Sequence, residues 1–196
     1  MTTIYLVRHG EYENLDYVFP GRLPGFGLSV RWRAQVRQLA ASYFANKPVV
    51  ALYSSPLLRT KQTAQILAET LHLSIMFDDR LLEVTTHADG VPMKLFDETN
   101  GGLSYTPEYQ AKGAESIEDL IIRMDNFIQE KVRKHQGREV LIVTHGDPMR
   151  YVVMKYMRIV PITFEASRSV AIPIAGGYKI EFSDTGEAQV YPIVTA

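Results

Sequence analysis

Basic and imidazole side chains follow three separate apolar runs of the sequence. Arg8 and His9 come directly after the first run, Arg59 lies shortly after the second, and His145 follows the third. Two arginines and two histidines that face one another need an anion between them, and the planar fork of a guanidinium suits phosphate oxygens. These residue types therefore predict a phosphate-like anion site, provided that the fold brings the three places together.

The three apolar runs predict strands that are buried on both faces. They span Ile4–Val7, Val49–Tyr53 and Val140–Val143, and none of them alternates apolar with polar residues. Such runs are typical of a sheet that helices cover on both sides. In open α/β sheets, ligands bind at the carboxyl ends of the strands, so the four basic side chains should line one cleft.

Helical patterns separate these strands. Apolar residues recur at spacings of three and four behind Ser116, which can cap a first turn. A second helix is predicted from Ser29 to about Asn46, a third from Ser55, where serine precedes proline, and a fourth from Asp147 in the same way. Amides at the starts of the last two helices could donate to an anion. Strands that alternate with helices predict a three-layer α/β/α sandwich with a mostly parallel central sheet.

Two further stretches complete the predicted organisation. Strand-like runs at Val170–Ile172, Tyr178–Phe182 and Gln189–Tyr191 are split by glycine-containing turns, which favours a hairpin that finishes the sheet. The stretch at about 84–113 fits no clean period and is rich in Gly, Thr, Pro and aromatic residues. A long irregular excursion of this kind is more often a lid or substrate loop than a linker.

The composition excludes several functional classes. The chain has 196 residues, and 21 Lys+Arg against 22 Asp+Glu give a formal charge of −1, which argues against nucleic-acid binding and a polybasic membrane anchor. Hydrophobic residues make up 46% of the chain, as expected for a single domain over residues 1–196 that buries its own core. The absence of cysteine excludes disulfide scaffolds, thiolate zinc sites and a cysteine nucleophile.

The sequence also predicts a cytoplasmic protein. The apolar run Ile4–Val7 meets Arg8 before the core of a signal peptide could be completed. No stretch approaches the roughly 20 apolar residues needed to cross a bilayer, so no membrane span is expected.

Four segments resemble the motifs of one enzyme family. Leu6–Glu11 resembles the signature of the histidine phosphatase superfamily, which includes cofactor-dependent phosphoglycerate mutases and fructose-2,6-bisphosphatases. Ser54–Ala64 resembles its second motif, and Val143–Gly146 resembles its third. Gly113–Ser116, with Arg123 further on, is similar to the motif that precedes the last of these strands. The matches come in the family's order and cover most of the chain, which implies a phosphoglycerate mutase-like fold.

The resemblance assigns roles to five residues. It makes His9 the nucleophile that takes a phosphoryl group onto a ring nitrogen, with Arg8, Arg59 and His145 around the phosphate oxygens, and it makes Glu83 the proton donor. The chemistry is consistent, because an imidazole is a competent nucleophile near neutral pH without a metal. A poor alkoxide leaving group needs a carboxylic acid to protonate it.

The resemblance extends the substrate-binding set to Arg22, Asn14 and Gly146. Asn14 stands one residue earlier than the asparagine of the family, and the residues after Glu83 depart from the acidic and aromatic pattern that is common there. Substrate preference is therefore the property that the resemblance defines least.

The expected function is a metal-independent phosphomonoester hydrolase of the phosphatase branch, without a cofactor. Its substrate would be a small phosphorylated metabolite, and a homodimer stays open. The alternatives are a phosphoglycerate mutase-type phosphotransferase and a binding module for phosphorylated ligands. A metallohydrolase built on His9, His145, Asp147 and a further carboxylate is disfavoured, because two nearby arginines would repel a divalent cation.

Overall fold

A six-stranded sheet forms the centre of the protein in the computed structural model, which describes residues 1–98 and 102–193. The strands follow one another in the spatial order β3-β2-β4-β1-β5-β6. Their bounds are β1 Thr2–Arg8, β2 Val49–Ser54, β3 Ile75–Phe77, β4 Glu139–Thr144, β5 Gly177–Phe182 and β6 Ala188–Ile193.

The sheet is parallel at its centre and antiparallel at one side. β1 and β2 both run parallel to β4, and β3 runs parallel to β2. β5 pairs antiparallel with β1 and with β6, so the last two strands form the predicted hairpin. Because β1, β2 and β4 are neighbours and parallel, the residues that follow them meet at one edge of the sheet.

Seven α-helices and several short turns connect the strands within the described residues. Their bounds are α1 Val30–Leu39, α2 Leu58–Leu71, α3 Met93–Glu98, α4 Pro107–Ala111, α5 Ile117–Lys134, α6 Gly146–Tyr156 and α7 Phe164–Ser167. A π-helical turn, Ala40–Phe44, extends α1, so this helical region ends close to the predicted Asn46. The long helix behind Ser116 is confirmed, and the Ser116 side chain accepts a hydrogen bond from the amide of Asp119.

Helices cover both faces of the sheet, which confirms the three-layer sandwich. Ile4 and Leu6 of β1 face a core shared with α5 and α6. Tyr5 and Val7 face the opposite core, shared with α1 and α2. These β1 residues are all buried, and full burial of an aliphatic side chain contributes about 1.5–3 kcal/mol. The unalternated apolar run is therefore explained by a strand that is enclosed on both sides.

Two predicted helix starts and one predicted strand are wrong in detail. The third helix begins at Leu58 rather than at Ser55, and Ser55 instead bonds a histidine of the site described below. The fourth helix begins at Gly146, with His145 at the capping position, so Asp147 lies inside its first turn. Val170–Ile172 is not a strand. Both sides of β1 are already paired, and side chains of other residues bond the carbonyls of this segment.

The edge strand β3 was not predicted, because it is only three residues long and half exposed. The irregular stretch at about 84–113 contains the short helices α3 and α4, and residues 99–101 of it lie outside the described part of the chain. This stretch packs on the loop after β1: the Phe19 and Phe96 rings stack at 4.3 Å, and the Phe19 amide bonds the Val91 carbonyl. Over the described ranges, no helix is both long and apolar enough to cross a membrane.

Candidate active site

His9 directly follows β1 and is a buried, neutral imidazole with one unprotonated ring nitrogen, Nε2. Its Nδ1 lies 2.6 Å from the carbonyl oxygen of Gly10, so Nδ1 carries the proton and donates it there. Arg59 donates from Nε to His9 Nε2 at 3.2 Å, which requires a lone pair on Nε2. Burial, followed by the charges of Arg59 and Arg8, lowers the pKa of His9 well below its ordinary value. The ring is thus held as a nucleophile.

His145 follows β4 and faces His9 across the site. The two ring centroids are 5.2 Å apart, and His145 is completely buried. Its Nε2 lies 2.8 Å from the hydroxyl of Ser55, whereas its buried Nδ1 has no hydrogen-bond partner among the described residues. Burial also lowers the pKa of His145 well below its ordinary value. A neutral ring that accepts a hydrogen bond from Ser55 carries its proton on Nδ1, where it can donate to an anion.

Two guanidinium groups, of the buried Arg59 and the half-buried Arg8, complete the anion-binding end. Arg59 is 2% exposed and is oriented by a 2.7 Å hydrogen bond from Nη2 to the Gly21 carbonyl. Arg8 is oriented by a hydrogen bond from Nη1 to the Ile172 carbonyl, and its buried Nε has no partner within the described residues. A Cβ added to Gly146 would lie 3.6 Å from Cζ of Arg8, so the start of α6 lies directly against this guanidinium. The site therefore offers fixed positive charge and unused donors.

Glu83 is a carboxylic acid whose pKa is raised toward neutral pH. Burial and the neighbouring charge of Asp147 raise its pKa to about 7, while Arg59 and Arg8 act in the opposite direction. One of its oxygens accepts a hydrogen bond from the amide of Val84 at 2.9 Å. The pKa lies where a group can both donate and accept a proton at physiological pH.

A cleft that is open to solvent joins these groups. Its volume is about 510 Å³, and its lining includes the predicted residues Arg8, His9, Arg59, Glu83 and Gly146. His145 lies directly beneath them, in contact with His9. The fold thus brings together six of the eight residues that the sequence singled out.

The other two predicted residues, Arg22 and Asn14, lie beside the cavity. Arg22 donates from Nε to the backbone carbonyl of Glu83 at 2.6 Å. The Asn14 side chain forms two hydrogen bonds with the backbone of Val18. Its Nδ2 donates to the Val18 carbonyl at 2.8 Å, and its Oδ1 accepts from the Val18 N–H at 3.1 Å. Asn14 lines a neighbouring cavity of about 360 Å³ that also reaches Arg8. Phosphate contact by Asn14 and Arg22 stays a prediction.

The comparisons with known proteins give the family. The chain matches the histidine phosphatase superfamily (branch 1) over residues 4–191. It belongs to this superfamily. One relative is phosphoserine phosphatase 1 of Hydrogenobacter thermophilus, 29% identical over 159 residues that cover 76% of this chain and 74% of the relative. Another is the probable phosphoglycerate mutase GpmB of Enterobacter sp. (strain 638), 29% identical over 157 residues, 74% of this chain and 70% of the relative.

The fold is shared with a solved bacterial structure. Bacillus stearothermophilus YhfR superposes with a TM-score of 0.82 at 24% identity, covering 98% of this chain and 96% of that chain. The agreement over nearly the whole chain confirms the expected phosphoglycerate mutase-like α/β architecture.

In this histidine phosphatase superfamily member, the segment that carries Glu83 is held by a charged cluster. Arg123 donates to the backbone carbonyls of Arg80 and Leu82, and it forms two hydrogen bonds of 2.7 and 2.8 Å with Glu115. The same Glu115 lies 3.6 Å from Arg22. The cluster fixes the backbone on both sides of the acid. The motif that contains Glu115 and Arg123 was the sequence signal for it, although its role could not be read there.

Sequence reasoning missed two arginines of the cavity. Arg150 and Arg168 line it, together with Asp147, which the sequence offered as a metal ligand and a helix start, with Tyr12, and with a set of apolar side chains: Phe19, Met93, Phe96 and Phe164. Arg150 had a usable signal, because it stands four residues after Gly146 on the predicted fourth helix and therefore on the same face. Arg168 had no such sequence signal, because its position at the cavity depends on how the chain folds back after α6.

The donor set of the site favours an anion over a metal ion. Residues 1–98 and 102–193 contain no cluster of three or more His, Asp or Glu side chains suited to holding a metal. His145 bonds Ser55, and the carboxylate of Asp147 accepts from Tyr105 at 2.8 Å and from Arg150 at 3.4 Å. Arg8 and Arg59 next to these groups favour phosphate oxygens.

Proposed function

We propose that this protein is a metal-independent phosphomonoester hydrolase that works through a phosphohistidine on His9. The observation that carries the proposal is the arrangement around His9: a lone pair on Nε2, the Arg59 guanidinium beside it, and unpaired buried donors on Arg8 and His145. A phosphoryl group bound there meets a nucleophile at its phosphorus and donors at its oxygens.

In the first step, Nε2 of His9 attacks the phosphorus of the ester. The bond between phosphorus and the ester oxygen breaks, and Glu83 transfers its proton to that oxygen, so an alcohol leaves. A bond between Nε2 and phosphorus has then formed, and the ring carries a positive charge. The hydrogen bond from Nδ1 to the Gly10 carbonyl stabilises that charge. The transferring group is loose and anionic, so Arg8 and Arg59 contribute mainly by position and charge.

In the second step, water attacks the phosphorus on the side opposite to Nε2. The ionised Glu83 takes a proton from the water, the bond between nitrogen and phosphorus breaks, and inorganic phosphate leaves. His9 returns to its neutral state and Glu83 to its protonated state. A carboxyl with a pKa of about 7 serves both steps, because it gives up and regains a proton at little free-energy cost near neutral pH.

A phosphotransferase of the mutase type is the second candidate. The similarity to a probable phosphoglycerate mutase supports it. The volume of the cavity also supports it, because a bound product could rotate there without leaving. A mutase would return the phosphoryl group from His9 to a second hydroxyl, whereas a phosphatase transfers it to water. Release of inorganic phosphate from a phosphoglycerate, as against its isomerisation, distinguishes the two.

The first experiment measures inorganic phosphate released from an aryl phosphate in excess EDTA, with wild type and His9→Ala compared. We expect wild-type turnover to persist in EDTA and the variant to lose about 10³-fold or more, because a lost nucleophile leaves only positioning and charge. Arg133→Gln, on an exposed part of α5, is the matched control. Activity that needs added metal would overturn the mechanism, and no turnover of any phosphoester would favour a binding module.

A further inference from the structure

Tyr12 is an aromatic residue of the cleft that has no part in the chemical steps proposed above. Its ring lies against the Arg59 guanidinium, whose Cζ is 5.5 Å from the ring centroid. The same ring lies 5.7 Å from the ring of His9, measured between centroids, and is tilted from it by 52°. Tyr12 therefore contacts both partners of the 3.2 Å hydrogen bond that runs from Arg59 to His9.

Arg59 has a buried charge that no carboxylate of the described residues approaches within ion-pair distance. Its side chain is 2% exposed, and its hydrogen bonds go to two neutral acceptors, the His9 ring and the Gly21 carbonyl. Burial lowers the pKa of the Arg59 guanidinium, as expected for a charge that is removed from water. Because an aromatic face attracts a cation most strongly where water is excluded, the Tyr12 ring stabilises this charge.

Backbone pairing holds Tyr12 in a fixed place relative to Arg59. Tyr12 forms an antiparallel bridge with Leu28, and the amide of Leu28 donates to Oε1 of Gln62 at 2.6 Å. Gln62 stands three residues after Arg59 on α2, so both side chains lie on the same side of that helix. The segment that carries the ring is therefore attached to the helix that carries the guanidinium.

The Tyr12 ring contacts the reaction centre and not the packed interior. Phe26 packs edge-on against it, with the ring centroids 5.7 Å apart and the planes at 85°. Tyr12 is half-buried, and it belongs to neither of the two cores that cover the sheet. Its replacement should therefore disturb Arg59 more than it disturbs the fold.

We propose that Tyr12 is a positioning residue whose ring orients the Arg59 guanidinium for the phosphoryl group. This inference rests on the proposed function, because it assumes that Arg59 holds a phosphoryl oxygen beside His9. No carboxylate fixes the plane of this guanidinium, and an arginine that is already oriented loses less conformational freedom when an anion binds. The ring acts through its π face, so the phenol hydroxyl is not required.

The first measurement is the Kd of inorganic phosphate, determined by calorimetry for wild type, Tyr12→Leu and Tyr12→Phe. Leucine fills much of the space but has no π face, so we expect Kd to rise about tenfold. Phenylalanine restores the π face and should bring Kd back to within about twofold of wild type. Tyr12→Met is a second apolar replacement, for the case in which the leucine variant does not fold.

Tyr191→Leu is the matched control. It also removes a tyrosine ring from beneath a cation, since Nζ of Lys179 lies 4.6 Å from the Tyr191 ring centroid. Tyr191 lies on the edge strand β6 and does not line the cleft, so this change should leave Kd unaltered. An equal loss of affinity in Tyr12→Phe and Tyr12→Leu would assign the effect to the hydroxyl and refute the role of the ring. An unaltered Kd in a folded Tyr12→Leu or Tyr12→Met protein, judged by circular dichroism, would make Tyr12 a packing residue only.

A double-mutant cycle decides whether Tyr12 acts through Arg59. The value of kcat/KM on an aryl phosphate is measured for wild type, Tyr12→Leu, Arg59→Gln and the double variant. We expect Tyr12→Leu to lose about tenfold when Arg59 is present and less than about twofold when it is absent, because the two residues share one interaction. Equal losses in both backgrounds would contradict the proposed coupling.

This inference and the proposed function fail in different ways. Phosphate release in EDTA and its dependence on His9 test the reaction, whereas phosphate binding tests Tyr12 without any turnover. If phosphate binds but no ester is hydrolysed, the proposed hydrolysis fails and the Kd values of the Tyr12 variants still decide the role of the ring. If phosphate binds too weakly for calorimetry, the double-mutant cycle decides it, and a wild-type protein with neither binding nor turnover would refute both.

Discussion

At the scale of single residues, hydrogen bonds determine where each proton of the candidate site lies. The Gly10 carbonyl accepts a hydrogen bond from Nδ1 of His9, and Arg59 donates to the lone pair of Nε2, which the proposed mechanism uses to attack phosphorus. The Ser55 hydroxyl forms a hydrogen bond with Nε2 of His145, which leaves the proton of that neutral ring on Nδ1. Because burial keeps both imidazoles neutral, one ring is left as a nucleophile and the other as a donor.

In the proposed mechanism, we expect Glu83 to determine the pH dependence of the first chemical step. Its pKa is raised to about 7, and the step needs the protonated form, so kcat/KM for an alkyl phosphate should fall about tenfold per pH unit above that pKa. The fall should be shallower for an aryl phosphate, whose leaving group needs little protonation. Glu83→Gln should lose about 10²-fold or more on the alkyl ester and remove this basic limb.

The measurement is a pH–rate profile of wild type and Glu83→Gln on both esters. Glu118→Gln, at the exposed start of α5, is the control that should leave the profile unchanged. An unaltered basic limb in Glu83→Gln would assign the proton transfer to another group.

At the scale of elements, the parallel centre of the sheet explains why distant residues meet. Arg8 and Thr144 are register partners at the ends of β1 and β4, so the residues that follow them emerge side by side. β2 ends next to β4 and leads into Ser55 and Arg59. Glu83 does not follow the end of β1, β2 or β4. It lies in the segment after β3, which the Arg123 and Glu115 cluster attaches to α5.

This cluster should affect proton transfer more than phosphate binding. Arg123→Ala removes the hydrogen bonds that hold the backbone before Glu83, and we expect kcat on an alkyl phosphate to fall about tenfold while KM changes less than about threefold. Turnover of an aryl phosphate should fall much less. The free energy of unfolding should drop by about 2 kcal/mol, because Glu115 loses its main partner.

The check combines steady-state kinetics on both esters with urea denaturation. Arg133→Ala on the same helix is the matched control, and Arg123→Lys should recover part of the charge interaction but little of the forked geometry. An equal loss of turnover on both esters would show that the cluster contributes only to stability.

At the scale of the whole molecule, the site couples anion binding to folding. The side chains of the site come from segments far apart in the chain, namely Arg8 and His9, Arg59, Glu83 and His145. An anion that bridges them binds only the folded protein and therefore stabilises it. Like charges on Arg8 and Arg59, which are buried near one another, make the unliganded site electrostatically unfavourable.

Inorganic phosphate should therefore raise Tm. At about 100 times its Kd, phosphate adds about 2.7 kcal/mol, which corresponds to a rise of about 5 to 10 °C for a chain of this size. Thermal scans in phosphate and in chloride of equal ionic strength test this. Arg59→Gln should abolish most of the difference between the two salts, whereas a rise that persists in the variant would place the binding elsewhere.

The sequence by itself determined the fold class and the family, and it predicted the groups that the structure brings together at the candidate site, because each motif follows a buried strand and its local pattern is complete. It also determined that strand ends carry the basic residues. Helix starts such as that of α2 were shifted, since Ser55 is used by His145 and not as a cap.

Only the tertiary structure decided the rest. The hydrogen bond from Arg59 to His9, the contact of His145 with Ser55, the raised pKa of Glu83 and the hydrogen bonds of Arg123 all depend on residues far apart in the chain. Burial and Coulomb interactions act through space, so no local pattern of residue types encodes them.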